Sequence, residues 1–297
     1  MSKYELHLGD CLASMREMPS ESVNCCVTSP PYFGLRDYGV EGQIGLEQSP
    51  EEYIQKMVEV FREVHRVLCD DGTLWLNIGD SYGKDKSLIG IPWELAFALR
   101  EDGWCLRQDI IWHKPNPMPE SVTDRCTKAH EYIFLLTKSK KYYYDAKAIK
   151  TPVKQDWGTR NRANGKYHNE GTGLTPHAGL EKSYDMANKR SVWSVTTRPF
   201  KGAHFATFPP ELIEPCILAG CPVGGTVLDP FGGSGTTAGV ALAHGRNAVL
   251  CELNPDYAGL VQGRVESIRA RYGNKKQYND NQQVRRQAAA EQQATSD

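Results

Sequence analysis

The sequence predicts an α/β fold, an open sheet with helices on both faces. Three observations lead to this prediction. Short apolar runs rich in β-branched residues alternate with longer stretches of helical periodicity. Several of the apolar runs end at a polar residue, as at Gly9-Asp10 and Gly79-Asp80. A glycine-rich loop at 232–235 separates another such run from an Ala-rich helix.

The first half of the chain supplies five strands and two helices. The strands are predicted at Tyr4 to Leu8, Val23 to Val27, Thr73 to Ile78 after a turn at Gly72, Leu106 to Trp112, and Glu131 to Leu136, the last two completing this half. A helix begins near Ser49, because Pro50 suits its first position and Glu52 follows the cap by three residues. A second helix is predicted from Pro92 to Arg100.

The last third repeats a helix–strand–helix pattern. Pro209 and Pro210 begin a helix over Glu211 to Ala219. The elements that follow are a strand at Thr226 to Leu228, a helix from Thr236 to His244, a strand at Asn247 to Cys251, and a helix that Asn254 and Pro255 open and that runs to about Tyr272.

The segment TSPPY at 28–32 predicts a site at the end of a strand. Two prolines fix their own φ angles and remove N–H donors, so neither sheet nor helix continues through them. The Ser29 hydroxyl, the Pro30 carbonyl and the Tyr32 ring are then left at the carboxyl edge of the sheet, where open α/β folds bind ligands. An ordinary proline turn remains the alternative.

The segment VLDPFGGSGTT at 227–237 predicts a strand, a ligand-binding loop and a helix. Three glycines allow close approach of the backbone, and the helix start offers free N–H groups. Glu252 ends the next strand, where a nucleoside ribose would lie. The alternative is a nicotinamide enzyme, because Gly233, Gly235 and Ala238 fit G-x-G-x-x-A; a phosphate-binding P-loop lacks its Lys.

The position of the glycine loop in the chain constrains the topology. Only about seventy residues follow Leu228, too few for the remaining βα units of a dinucleotide domain. The missing strands must come from before the loop. The sheet is therefore predicted to be circularly permuted, with its cofactor half last.

Together the two motifs resemble those of the amino-methylating DNA methyltransferases of the permuted β group, which use S-adenosylmethionine. In that family a [S/D/N]-P-P-[Y/F/W] tetrad performs the chemistry and a D-P-F-x-G-S-G-T-T loop holds the cofactor. The tetrad matches here are Ser29, Pro30, Pro31 and Tyr32, and the loop matches are Asp229, Pro230, Phe231, Gly233, Ser234, Gly235, Thr236 and Thr237. The resemblance extends over roughly residues 4–272 and is weakest between about 145 and 200.

This resemblance implies a division of the chain and two further cofactor contacts. Residues 1–144 would form the catalytic half, 145–203 a target-recognition region, and 204–273 the cofactor-binding half. The tail 274–297 is expected to be disordered because it cannot bury an apolar face. Asp10 would face the adenine of the cofactor, and Glu252 its ribose.

The charge distribution favours contact with double-stranded DNA through the region 145–203. It carries eleven Lys or Arg and five acidic residues, a local charge of +6 in a chain whose net charge is −1. Such side chains neutralise phosphates and read base edges. The alternative is a solvated flexible insertion. The candidate DNA-binding residues are Arg160, Arg162, Lys166, Lys189 and Arg190.

The tetrad composition suits methylation of an exocyclic amino group. Its lone pair is delocalised into the base, and acceptors such as the Ser29 hydroxyl and the Pro30 carbonyl would favour a pyramidal nitrogen. The base must leave the duplex, Tyr32 would stack on it, and the glycine-containing loop 33–47 is expected to close over it.

Which amino group reacts stays open at this point. Ser29 favours cytosine N4, since the family has Asp or Asn more often in adenine N6 enzymes. Two other classes remain, a nicotinamide-dependent oxidoreductase and a DNA-binding module without catalysis. Methylation at cytosine carbon 5 is rejected, because the one Pro-Cys pair, Pro215-Cys216, lies in an apparent helix.

The remaining composition predicts a cytoplasmic protein without a membrane segment. The N-terminus has no apolar signal core, and no stretch reaches the length of a membrane span. Nine scattered cysteines indicate reduced thiols and no metal site. A cognate restriction enzyme is a possible partner that the sequence does not reveal.

Overall fold

The computed structural model describes residues 2–153, 185–197 and 207–274. Within these ranges the strands are β1 Tyr4–Leu8, β2 Val23–Thr28, β3 Leu68–Ile78, β4 Cys105–His113, β5 His130–Thr137, β6 Thr151–Pro152, β7 Met186–Ala187, β8 Val192–Ser194, β9 Thr226–Asp229 and β10 Asn247–Glu252. The helices are α1 Cys11–Arg16, α2 Pro50–Val67, α3 Ile91–Glu101, α4 Pro210–Gly220, α5 Thr236–Ala243, α6 Pro255–Ala258 and α7 over 261–274.

Eight of these strands form one sheet in the order β1-β10-β9-β2-β3-β5-β4-β8. The last two long strands of the chain, β9 and β10, lie between β1 and β2 and run parallel to both. The predicted circular permutation of the sheet is therefore confirmed. Among the described strands of this sheet, β5 alone runs antiparallel to its neighbours β3 and β4.

Side chains of the central strands alternate between two helical layers, as a period of two residues requires. Cys25 and Trp75 point into a core shared with α4, α5 and α7. Cys26 and Leu74 point into the opposite core, which α1, α2 and α3 cover. Helices thus cover both faces, as the sequence predicts.

Two predicted elements differ from the structure by more than one or two residues. β3 begins at Leu68 rather than Thr73, and its pairing with β2 shifts register between Val23 and Cys25, so that residues 69–72 loop out. Gly72 permits this loop, since a Cβ there would lie 2.9 Å from the Cys69 carbonyl oxygen. The helix predicted from Asn254 is interrupted by a turn at 259–260, where Gly259 has a low helix propensity.

The region 145–203 is partly described. Within it, β8 pairs in parallel with β4 as the edge strand of the main sheet, and the Trp112 Nε1 donates to the Val195 carbonyl at 2.8 Å. This part of the region therefore belongs to the sheet. Arg160, Arg162 and Lys166 lie outside the described residues, as does the predicted tail from 275 onward. Over the described ranges, none of the helices combines the length and the apolar character that crossing a bilayer requires.

Gly220, at the end of α4, allows this helix to pack directly on β3. A Cβ at this position would lie 2.5 Å from Thr73 Oγ1 and closer still to Trp75 Nε1. We expect Gly220→Ala to lower the free energy of unfolding by about 1–3 kcal/mol, the usual cost of overpacking a core. Urea denaturation measures the change.

Gly263→Ala is the matched control. Gly263 lies on the exposed side of α7, and an added Cβ would meet nothing within 4 Å. This variant should be neutral or up to about 1 kcal/mol more stable, because alanine favours the helix. Equal effects of the two substitutions would contradict the tight contact at Gly220.

Candidate active site

One cavity of about 790 Å³ lies at the carboxyl edge of the sheet. It is lined both by the tetrad, Ser29 to Tyr32, and by the glycine loop at 230–234, although nearly two hundred residues separate them in the chain. Its volume lies within the range of about 300–1,000 Å³ that is typical of small-molecule sites. The structure thus brings the two sequence motifs to one place.

A buried hydrogen-bond cluster joins the two motifs. β2 and β9 are neighbours, with Cys26 opposite Leu228. At their ends Thr28 Oγ1 donates to Asp229 Oδ1 at 2.7 Å, and Thr237 Oγ1 donates to Oδ2 at 2.6 Å. The Phe231 N–H donates to Oδ1 at 3.1 Å. Asp229 is 1% exposed, and burial raises the pKa of its carboxyl to about 6.

Glu252 holds the glycine loop from the neighbouring strand. Its Oε2 accepts from the Gly233 N–H at 2.7 Å, and its Oε1 accepts from the Asn254 N–H at 2.8 Å. Burial raises the pKa of this carboxyl. Each carboxylate oxygen retains a second lone pair, so Glu252 can still accept a hydroxyl hydrogen from a bound ligand.

The predicted cofactor residues divide into two groups. Those that line the cavity are Asp10, Pro230, Phe231, Gly233, Ser234, Thr236 and Glu252. Asp229, Gly235 and Thr237 are not among its lining residues and support the loop from below, Gly235 against Val261. Asp10 also caps α1, accepting from the Ala13 N–H at 2.8 Å.

The tetrad is part of a polar network. Tyr32 donates its hydroxyl to Glu131 Oε2 at 2.7 Å, and Ser29 Oγ donates to the Tyr32 hydroxyl oxygen at 3.3 Å. Asn77 Nδ2 donates to both hydroxyl oxygens, at 3.2 Å for Ser29 and 2.8 Å for Tyr32. Burial and the nearby Glu131 raise the pKa of Tyr32, which therefore stays a neutral phenol.

The sequence reasoning missed Asn77, Lys114 and Glu131. All three line the cavity, and Lys114 Nζ forms an ion pair with Glu131 Oε1. Asn77 carried a usable signal, as a single amide in the apolar run LWLNI. Glu131 did not, since it reaches this edge only because β5 runs antiparallel.

The sequence predicts that the loop 33–47 closes over the target base. In the structure the loop lines a larger part of the cavity. Its residues Tyr38 and Ile44 line the cavity, and the Tyr38 ring packs edge-on against Tyr257, which lies in α6, with centroids 6.4 Å apart. The loop therefore spans the tetrad and the cofactor loop alike.

Two of the predicted DNA-binding residues are described. Lys189 is half-buried with Nζ 4.9 Å from the centre of the Trp193 ring, and burial lowers the pKa of its ammonium. Arg190 is exposed, and its carbonyl accepts from Trp193 Nε1. Neither lines the cavity, whereas Lys128 and His130, which were not predicted, do.

A family model described as DNA methylase, of the N6/N4 type, matches residues 23–263. The chain belongs to this family. Its relatives include the type II methyltransferase M.Cfr9I of Citrobacter freundii, 48% identical over 87% of this chain and 86% of that protein. M.XycI of Xanthomonas campestris pv. cyanopsidis is 47% identical with the same coverage. This methylase therefore transfers methyl groups to DNA.

Solved structures share the fold of this methylase. The PvuII DNA methyltransferase (cytosine-N4-specific) aligns with a TM-score of 0.68 at 20% identity, covering 92% of each chain. TTHA0409 of Thermus thermophilus, complexed with S-adenosyl-L-methionine, aligns with a TM-score of 0.61 at 28% identity, covering 90% of this chain and 96% of that one.

S-adenosylmethionine is the methyl donor of this family and the cofactor of this methylase. The cavity suits it in size and chemistry. Asp10 and Glu252 place carboxylates at neighbouring strand ends, and carboxylates accept hydrogen bonds from amino and hydroxyl groups such as those of this cofactor. Ser234 Oγ is buried in the loop without a hydrogen-bond partner in the described part of the chain, which leaves it free for a polar ligand group.

The raised pKa of Asp229 predicts how the free energy of unfolding depends on pH. Between its ordinary value of 3.8 and about 6, the folded protein binds a proton that the unfolded chain releases. This contribution to stability is full below about pH 4 and is lost as the pH rises through 6, in total on the order of 3 kcal/mol. Wild-type protein should therefore lose this increment between about pH 4 and pH 7.

Asp229→Asn removes the titrating group and keeps its size. We expect the free energy of unfolding of this variant to fall less than that of the wild type over the same interval, measured by urea denaturation at several pH values. Parallel pH profiles of the two proteins would show that Asp229 does not titrate as its burial requires.

Proposed function

We propose that this methylase transfers the methyl group of S-adenosylmethionine to N4 of a cytosine that has left the double helix. The observation that carries the proposal is the shared cavity, in which the tetrad and the cofactor loop face each other across the Thr28–Asp229 hydrogen bond. When bound, S-adenosylmethionine supplies an electrophilic methyl group on a positively charged sulfur. The protein's task is to present an amino nitrogen to it.

Three acceptors at the tetrad can hold that amino group. Ser29 Oγ accepts one hydrogen bond, from Asn77, and has a second lone pair. The Pro30 carbonyl accepts none from the described residues, whereas the Pro31 carbonyl is occupied by the Tyr53 hydroxyl at 2.8 Å. Asn77 Oδ1 is buried and lacks a partner in those residues. Acceptors for both hydrogens free the nitrogen lone pair for attack.

The Tyr32 ring lines the same cavity, and in the proposed complex it stacks on the face of the base. A Cβ at Gly79 would lie 2.6 Å from Tyr32 Cε2, so the ring fits tightly against the bare backbone of residue 79. Stacking on a ring held this firmly compensates part of the few kcal/mol that unstacking a base costs.

Two features support cytosine over adenine. In the family of amino-methylating DNA methyltransferases, serine at the first tetrad position, here Ser29, is more common in members that methylate cytosine N4 than in those that methylate adenine N6. Lys128 lines the cavity as a half-buried ammonium whose pKa is lowered by burial. Such a donor can bond to O2 of cytosine, where adenine has only a C–H group. The unused acceptor on Asn77 serves either base, so adenine N6 is the alternative outcome of the test.

Sequence-specific contacts are assigned to the region 145–203. Arg190 is exposed beside the edge strand β8, and Lys189, Arg160, Arg162 and Lys166 complete the proposed DNA-binding set. The relatives' designation as type II methyltransferases supports a cognate restriction enzyme as a partner. All nine cysteines are free thiols, which supports a reducing, cytoplasmic location.

Nucleoside analysis tests the methylated position. We expect DNA incubated with the purified protein and labelled S-adenosylmethionine to yield N4-methylcytosine after digestion, identified by mass spectrometry. Adjacent bases recovered with the label define the recognition sequence. N6-methyladenine as the sole product would replace the cytosine assignment. DNA that carries no label after the incubation would contradict methyl transfer to DNA.

Gly233→Val tests the cofactor loop. Gly233 lines the cavity with φ at +51°, and a branched side chain there would occupy the space assigned to the ligand. We expect the affinity for S-adenosylmethionine, measured by calorimetry, to fall by at least about tenfold, or about 1.4 kcal/mol.

Gly224→Val is the matched control for backbone strain. Gly224 also has a positive φ, +82°, and open space around it, but it lies outside the cavity, shortly before β9. Its substitution should leave cofactor affinity within about twofold while costing similar stability. Equal loss of affinity in both variants would remove the loop from the proposed site.

A further inference from the structure

The hydroxyl groups of the tetrad donate hydrogen bonds in sequence toward the carboxylate of Glu131. Glu131 is an acceptor when ionised, so Tyr32 must donate its single hydrogen to Oε2, at 2.7 Å. The Tyr32 oxygen then serves as an acceptor, and Ser29 Oγ donates to it at 3.3 Å. Asn77 Nδ2 lies within 3.2 Å of all three oxygens, and because its two hydrogens can only be donated, it reinforces the acceptor roles of these oxygens. Both hydroxyl hydrogens of this network point toward Glu131.

The chemistry needs a proton acceptor that the tetrad itself lacks. Methylation leaves the amino nitrogen with a fourth bond and a positive charge, so one N–H proton must depart. A serine hydroxyl and a proline carbonyl are weak bases, and the raised pKa of Tyr32 excludes a phenolate. The final acceptor must therefore lie beyond the tetrad.

Other carboxylates that line the cavity are engaged elsewhere. Asp80 accepts from the backbone of Ser81, Gly90 and Ile91. Asp10 caps α1, Glu252 holds the glycine loop, and Glu120 accepts from Lys128 N and Arg125. Among the cavity-lining acids of the described residues, Glu131 is the one hydrogen-bonded to a tetrad side chain.

We propose that Ser29, Tyr32 and Glu131 form a relay that removes the proton from the methylated amino group, with Glu131 as its terminal acceptor. The inference rests on the proposed function of the cavity. As the new N–C bond forms and the C–S bond breaks, the sulfur keeps its electron pair. The N–H proton then passes to Ser29 Oγ, the Ser29 hydrogen to the Tyr32 oxygen, and the Tyr32 hydrogen to Glu131 Oε2. The electrons of the N–H bond stay on nitrogen.

The surroundings of Glu131 suit this role. Lys114 Nζ pairs with Oε1 and leaves Oε2 to the relay, while the ammonium itself lies 4.5 Å from the centre of the Trp112 ring. The side chains of Glu131 and Lys114 are 15% and 20% exposed, so the collected proton can reach solvent. Lys114 is thus a positioning residue.

Gly79 makes the contact between Tyr32 and Glu131 possible. An added Cβ would meet the Tyr32 ring at 2.6 Å and Glu131 Cγ at 3.4 Å. β5 begins at the edge where β3 ends, because the two strands are antiparallel and Ile78 faces Tyr132. The relay therefore depends on a bare backbone position and on one reversed strand.

Single-turnover methyl transfer with saturating cofactor and DNA tests the relay. Glu131→Gln keeps the size of the side chain and an acceptor for the Tyr32 hydroxyl, but it cannot take up the proton. We expect the transfer rate to fall by about 10²–10³-fold, within the usual contribution of a general base. Calorimetric affinities for cofactor and for DNA should stay within about twofold of wild type.

A pH profile separates proton transfer from mere support of the site. The wild-type rate should fall at acidic pH, and this acidic limb should be absent in Glu131→Gln, because a carboxamide at the end of the relay cannot take up a proton. Tyr32→Phe keeps the stacking ring and interrupts the relay, so it should show a similar loss. The double variant should be no slower than either single variant, because the parts of a relay act as a unit.

Glu63→Gln is the control for loss of a carboxylate. Glu63 pairs with Arg66 within α2 and does not line the cavity, so its substitution should leave the rate and its pH profile unchanged.

Two results would overturn the relay while leaving methyl transfer in place. One is an undiminished rate with an intact acidic limb in Glu131→Gln. The other is additive losses in the double variant, accompanied by weakened cofactor or DNA binding. A wild-type protein that transfers no methyl group to DNA would instead contradict the proposed function itself.

Discussion

The buried hydrogen bond from Thr28 to Asp229 is the constraint on which the site depends. It joins the end of β2, where the tetrad begins, to the end of β9, where the cofactor loop begins. Thr237 binds the second carboxylate oxygen from the first turn of α5, so strand, loop and helix meet on one side chain. Burying this carboxylate is costly, as the raised pKa of Asp229 shows, and three donors offset that cost. As a result, two motifs far apart in sequence have a fixed separation.

The acids of the cavity have distinct tasks because they have distinct partners. Glu252 accepts hydrogen bonds from backbone amides and thereby shapes the glycine loop. Glu131 has side-chain partners, a phenol, an amide and an ammonium, which can adjust when a proton arrives. In the proposed mechanism, binding of the cofactor and disposal of the proton are thus assigned to different acids on different strands. Asn77 has its amino group in the network around Glu131, and its carbonyl oxygen is unused by the described residues.

Much of the fold and of the candidate site follows from local sequence. Ser49 and Pro50 predict the start of α2, and the prolines of the tetrad predict where β2 ends. These signals are local because a cap or a turn involves only neighbouring residues. The break at Gly259 was missed although the low helix propensity of glycine is a local signal for it. The bulge at 69–72 was missed because it depends on how β3 pairs with β2, which no local pattern specifies. Glu131 was missed for a related reason, because strand direction is not encoded in an apolar run.

The permuted α/β sheet, with a tetrad and a glycine loop at strand ends, could be predicted from the amino-acid sequence, because short motifs carry their own backbone geometry. The side chains that meet at this edge were known once the tertiary structure was at hand. In the structure Asp229 and Thr237 do not line the cavity but support the cofactor loop through their hydrogen bond. Glu131 accepts a hydrogen bond from Tyr32. The contact between Tyr32 and Glu131 joins residues 99 positions apart, and it depends on strand order, direction and register, which no local pattern specifies.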